Sequence, residues 1–197
     1  AAPLVREAAA PRSTGEEAPP RSSRDRDAEN GTADSITIQL DAAGAPESRG
    51  DDGNWYYDPS SGGRLYLYNG GFTLKPSSES GAESALQGVE LIINQNADFA
   101  DGTVGCWTNN AGIISGGTFQ GNVNNDKTIS GGTFQRKVDN SGTISDGTFQ
   151  GEVINDYSYD YAASKYIPGV ISGGVFQGNV NNHGNISDGT FQGEVYN

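Results

Sequence analysis

Thr128-Ile129-Ser130-Gly131-Gly132-Thr133-Phe134-Gln135-Arg136-Lys137-Val138-Asp139-Asn140 holds three short polar–apolar–polar segments, separated by a Gly-Gly pair and a polar corner. Successive side chains of a strand point to opposite faces, so Ile129, Phe134 and Val138 share one side and their neighbours the other. Gly and Asn are the residues that tolerate the backbone of sharp corners. The stretch therefore predicts one coil with three short sides and an apolar interior. The same pattern starts at Ile114, Ile129, Ile144, Ile171 and Ile186. Three of the intervals are fifteen residues, and the interval from Ile144 to Ile171 is 27. A fixed short period is the mark of a solenoid whose units cannot bury an apolar face alone. The expected fold is all-β: a single parallel β-solenoid, three-sided, with coils of fifteen residues.

Stacked coils place equivalent residues about 4.8 Å apart. The interior is then read as three columns, one of Ile, one of Phe (Phe119, Phe134, Phe149, Phe176, Phe191) and one of Val (Val123, Val138, Val153, Val180, Val195). A Gln column (Gln120, Gln135, Gln150, Gln177, Gln192) and a corner column of Asn125, Asn140, Asn155, Asn182 and Asn197 are placed outside, with amide-to-amide bonding along each. Lys137 and Glu152 share a repeat position and are expected to form an exposed ion pair. The sequence stops at Asn197 without a capping segment, so either the stack continues in a longer protein or the last edge meets a partner, because bare sheet edges pair with other chains. End-to-end self-association through that edge is the corresponding expectation.

Upstream the period loosens. Ile36 to Leu40 alternates as a strand does, Gly63 to Gly71 reads as strand then turn, and Val89 to Ile93 is a short apolar run. Residues 31–110 are read as irregular N-terminal coils or a cap, and 111–197 as the regular solenoid. Trp55, Tyr56 and Tyr57 are assigned to the core of the first coil. Residues 1–30 are rich in Ala, Pro, Arg and Glu, without aromatics or an apolar period, and read as a disordered tail. The chain begins at Ala1 without Met, which reads as a processed or excised form.

Composition narrows the function classes. The net charge is −13, against the clustered Lys and Arg that nucleic-acid phosphates require. No stretch nears the ~20 apolar residues of a membrane-spanning helix. The expected partners exclude nucleic acid and membrane insertion, and no cofactor or metal is expected. Hydrophobic residues make up 34 %, thin for a globule but suited to a core one side chain wide.

The phrase Ile114-Ser-Gly-Gly-Thr-Phe-Gln-Gly-Asn-Val-Asn-Asn resembles the Gly/Thr/Asn repeats of secreted parallel β-helix proteins of gut Firmicutes. Trp55-Tyr-Tyr-Asp-Pro-Ser-Ser-Gly-Gly-Arg-Leu-Tyr-Leu-Tyr-Asn-Gly-Gly resembles an opening common in the same surface proteins. The resemblance covers roughly residues 50 to 197. It implies an extracellular location, secreted or attached to the cell wall, and an adhesin-like role, and it supplies no site.

Function is sought in the departures from the repeat. The twelve extra residues form a Tyr-rich insertion at 157–168, and per-repeat insertions map to one face, often the binding face. Tyr157, Tyr159, Tyr161, Lys165 and Tyr166 are the candidate binding residues, with a host protein or glycan as partner. The competing reading has these rings shielding an apolar strand edge. Asp146 and Asp188 both replace a corner Gly, two coils or about 10 Å apart. Inverting glycosidases hold two carboxylates about 6.5–9.5 Å apart, so a glycosidase- or lyase-like β-helix is the alternative. Thr118, Thr133, Thr148 and Thr190 line up as in ice-binding solenoids, with Val175 interrupting. His183 reads as a solvated turn residue. Cys106 has two readings, a buried thiol beside Trp107 or an intermolecular cross-link. The expectation taken forward is a non-catalytic bacterial surface scaffold that presents a binding loop.

Overall fold

The computed structural model describes residues 35–51, 53–77 and 85–197. The tail at 1–30 lies outside the described residues. Apart from one short 3₁₀ turn at Ser60–Gly62, every described element is a strand. The regular coils run Thr128–Phe134 with Val138–Asn140, then Thr143–Phe149 with Val153–Asn155, then Val170–Phe176 with Val180–Asn182. Each strand pairs in parallel with its counterpart one coil on, Ile129 with Ile144, Phe134 with Phe149, Val138 with Val153. The chain is a parallel β-solenoid.

Ile, Phe and Val form the core as the alternation demands. The Ile and Phe columns are buried from Ile114 through Phe176, and only in the last coil do Ile186 and Phe191 become half-buried. The Phe rings stack 4.8–5.0 Å apart from Phe119 to Phe191, within 11° of parallel. That spacing is the rise of one coil, so a single ring per coil fills its layer without gaps.

The corner between the Ile and Phe segments falls at the Gly-Gly pair, as expected. From Thr128 onward the two segments run on as one strand, bent there by register shifts between Ile129 and Thr133. Gly132 supplies the bend at φ +100°, and Gly117, Gly147, Gly174 and Gly189 repeat it. A side chain there would be strained, which explains the constant glycine. Beside this corner a Ser column clips the coils together, with Ser130 Oγ donating to the Ile114 carbonyl at 3.4 Å and Ser145 Oγ to Ile129 at 3.3 Å.

The Asn column is corrected more sharply. It does not face outward. Asn110, Asn125 and Asn155 are fully buried and Asn140 is 1 % exposed. Each amide donates from Nδ2 to Oδ1 of the next coil at 2.7 Å, Asn110 to Asn125, Asn125 to Asn140, Asn140 to Asn155 and Asn155 to Asn182. None of these residues adopts positive φ. Asn occupies the corner because its amide both donates and accepts, which satisfies buried polar groups above and below. The exposed Gln column shows no amide-to-amide bonds among the described residues, since water competes for those groups.

The spacing of fifteen also reaches one coil further upstream with different residues. Phe99 pairs with Ile114, Val104 with Phe119, Thr108 with Val123 and Asn110 with Asn125. Earlier coils are wider, with Leu65 under Leu91 and Phe72 under Phe99. Trp55–Asp58 runs antiparallel to Arg64–Leu67 and covers one upstream edge. Of the expected aromatic trio, Trp55 is buried in the core and Tyr57 is half-buried against it. Tyr56 faces outward and stacks on Tyr66, which stacks on Tyr68. The alternation itself dictates this, since Trp55 and Tyr56 are neighbours on a strand and must face opposite ways.

Candidate functional site

The insertion folds as a separate β-hairpin. Tyr157–Asp160 and Lys165–Pro168 pair antiparallel, Tyr159 opposite Tyr166 and Asp160 opposite Lys165, and neither joins the main sheet. Asp160 Oδ1 accepts the N–H groups of Ala162 and Ala163 at 2.9 and 3.0 Å and so folds the turn. Ser164 closes it at φ +50°, the non-glycine residue with positive φ among those described. At the base, Asp156 holds both legs, since its Oδ1 accepts from Tyr157 N–H and its carbonyl from Gly169 N–H.

The structure brings all four tyrosines together. Tyr159 meets Tyr161 and Tyr166 edge to face at 4.9 and 5.0 Å, and Tyr157 meets Tyr166 at 6.2 Å. Tyr161 is 86 % exposed and Tyr166 71 %, and Lys165 beside them is exposed. The coils on either side close directly on each other, Ile144 on Ile171 and Val153 on Val180, so the core beneath has no open step. A cleft of about 290 Å³ lies at the hairpin base, lined by Tyr157, Asp156, Ile154, Asp139 and Asn124. His183 is exposed, its Nδ1 3.8 Å from Asp156 Oδ1.

Asp146 and Asp188 each serve their own corner. Oδ1 of Asp146 accepts from Gly147 N–H, and Oδ1 of Asp188 from Gly189 N–H, both at 2.7 Å. These bonds hold the positive-φ bend in the two coils that carry the substitution. The Thr column is in register, Thr118 beside Thr133 and Thr133 beside Thr148, with Val175 breaking it as the sequence requires. No group of three His, Cys, Asp or Glu residues able to hold a metal occurs among the described residues.

The outward surface of the Val segments, the Val face, is where coils differ most. The position before Val reads Trp107, Asn122, Lys137, Glu152, Asn179, Glu194 along the stack, and the position after it reads Asn109, Asn124, Asp139, Ile154, Asn181, Tyr196. By contrast Ser and Gln stay constant on the other two sides. The expected pair of Lys137 with Glu152 does not form. Lys137 Nζ bonds Asp139 Oδ1 in its own coil at 2.8 Å, and Glu152 instead accepts from Asn181 at 2.6 Å. Asp139 wins because it is the next outward position on the same strand.

Trp107 is 49 % exposed on this face. Its Nε1–H donates to Asn109 Oδ1 at 3.2 Å, Asn109 Nδ2 donates to Glu90 Oε1 at 2.6 Å, and Arg64 Nε donates to Glu90 Oε2 at 2.9 Å. Sequence reasoning did not select Trp107, whose direction follows only once Thr108 is seen to occupy a Val position. Beside it, burial pushes the Cys106 thiol up to about 12. At neutral pH its thiolate is then about a thousandfold scarcer than in an ordinary thiol, which works against the cross-link reading. Labelling by an aromatic disulfide reagent at pH 7.5 is expected to be roughly 10³-fold slower in native than in unfolded protein. Equal rates would mean an open, reactive thiol.

No protein family, curated protein or solved structure matches the chain.

Proposed function

We propose that this chain is a non-catalytic extracellular scaffold, secreted or attached to the cell wall, that holds the Tyr hairpin out to a host protein or glycan. One observation carries the reading. Four interlocked tyrosines stand on a hairpin that contributes no strand to the main sheet and covers no break in the core. Exposing such rings has a solvation cost, whereas Tyr at a contact surface combines a large flat ring with a polar tip at low entropy cost. The cleft at the hairpin base adds carboxylate and amide groups for orientation. The location rests on the resemblance of the repeats to secreted surface proteins. The carboxylates that a glycosidase reading would use are bonded within their own corners.

The test is a host-protein and glycan binding screen with the chain and a variant in which Tyr157, Tyr159, Tyr161 and Tyr166 are all replaced by Ser. The expected result is loss of the ligand with stability changed by less than about 1 kcal/mol, as for exposed positions. A variant that melts many degrees lower yet keeps the ligand would show that the tyrosines shield the fold and do not bind.

A further inference from the structure

We propose that a notch around Trp107 on the Val face is a second ligand site, and that it takes a carboxylate-bearing sugar, a hexuronate unit of an acidic polysaccharide. The notch stands on residues distinct from the hairpin, so either site can fail without the other. Its shape comes from the corner column that runs Cys106, Gly121, Arg136. At Gly121 a Cβ would run into the Cys106 carbonyl oxygen, so close packing keeps that layer bare. Arg136 thus carries a side chain one coil on from a layer that has none. The gap, with Trp107, Gln120 and Asn122 around it, is a concavity of about 350 Å³. That is the low end of ligand-site volumes and suits one sugar ring.

Three features select the ligand chemistry. Trp107 is a fixed platform. Its N–H is already committed to Asn109, itself tied to Glu90 and Arg64, so the ring face is what remains for a partner. A flat apolar face held in place suits the C–H face of a pyranose and loses little entropy on binding. Arg136 is the cation. The same position is Gly121, Gly151, Gly178 and Gly193 in the other regular coils, and among the described residues Arg136 makes no ion pair, whereas neighbouring Lys137 is neutralised by Asp139. A guanidinium fork matches one carboxylate in two parallel hydrogen bonds. The amides of Gln120 and Asn122 offer donors and acceptors for hydroxyls. A phosphate polymer needs several clustered cations, and the notch offers one. One cation beside an aromatic platform matches one carboxylate per sugar.

Trp107 is also the reporter, since the only other Trp, Trp55, is buried. Oligogalacturonate, oligoglucuronate and oligomannuronate are titrated into the full chain, followed by Trp fluorescence and calorimetry, each beside its methyl-esterified form. At least one acidic oligomer is expected to change Trp emission and bind. Esterification and Arg136→Gly, which restores the repeat's own corner residue, should each weaken it about 10- to 100-fold. Trp107→Ala should abolish binding, and the four-Tyr variant should retain it. Ester bound as tightly as acid, or Arg136→Gly without effect at unchanged melting temperature, would overturn the carboxylate assignment. No binding by any acidic oligomer at millimolar concentration would overturn the site.

Discussion

Phe134→Ala is expected to destabilise the solenoid by about 3–5 kcal/mol, the range for buried Phe truncations. The upper end applies because the layer holds one ring. Phe134 stacks on Phe119 at 5.0 Å and on Phe149 at 4.8 Å, and both would lose a neighbour to a cavity that no other aromatic can fill. At roughly 2–4 °C per kcal/mol for a domain of this size, the melting temperature should fall by about 10–15 °C. Because each coil touches only its neighbours, the transition should also broaden or split into two steps on either side of the lesion. Phe134→Leu, which keeps most of the volume, should cost less than about 2 kcal/mol, and Gln135→Ala on the exposed column should stay within about 0.5 kcal/mol. Denaturant titration followed by circular dichroism checks all three. A Phe134→Ala variant that matches Gln135→Ala would mean that the Phe column does not carry the core.

Asn140→Ala is the second large effect, about 2–5 kcal/mol. The cost is not the bonds removed but the partners left behind. Asn125 Nδ2 loses its acceptor and Asn155 Oδ1 its donor, both in a column closed to water. Each buried unsatisfied group costs about 1–3 kcal/mol. The double variant Asn125→Ala/Asn140→Ala should therefore cost clearly less than the sum of the single ones, which a double-mutant cycle measures. Asn140→Asp gives the same argument a pH axis. A buried carboxyl is pushed above its ordinary value of about 4, so its folded form binds a proton more tightly than the unfolded chain. Its stability should lie near that of the parent below about pH 4, where the acid can donate to Asn155 in place of the amide, and fall as pH rises through the raised value. A pH-independent deficit would overturn the buried donor–acceptor role.

How much of this is legible from the residues depends on whether identity or spacing carries the information. Ile129, Phe134 and Val138 repeat by identity, and their direction follows from alternation alone. The coil from Phe99 to Asn110 repeats only by spacing, with Phe for Ile, Val for Phe and Thr for Val. A pattern search keyed to residue type passes over it. Asn is the instructive error. A polar residue at a corner reads as a turn former, and only the presence of another Asn fifteen residues on either side allows it to go inside. The tyrosines are selected because they interrupt the register, and the fold gathers them into one cluster. Trp107 and Arg136 gain their meaning from each other, through a two-coil separation that neither position reveals alone.

The corner between Asn155 and Gly169 has a consequence for how such a chain can change. Twelve residues enter and leave there, and the coils above and below meet as though they were absent. Closing a longer loop at that point is cheap, about 0.6 kcal/mol for each doubling of length. The corner therefore works as a cassette slot. Segments of other lengths and chemistries can be exchanged there at little cost to the frame, so the inserted segment can change on a timescale decoupled from the coils that carry it.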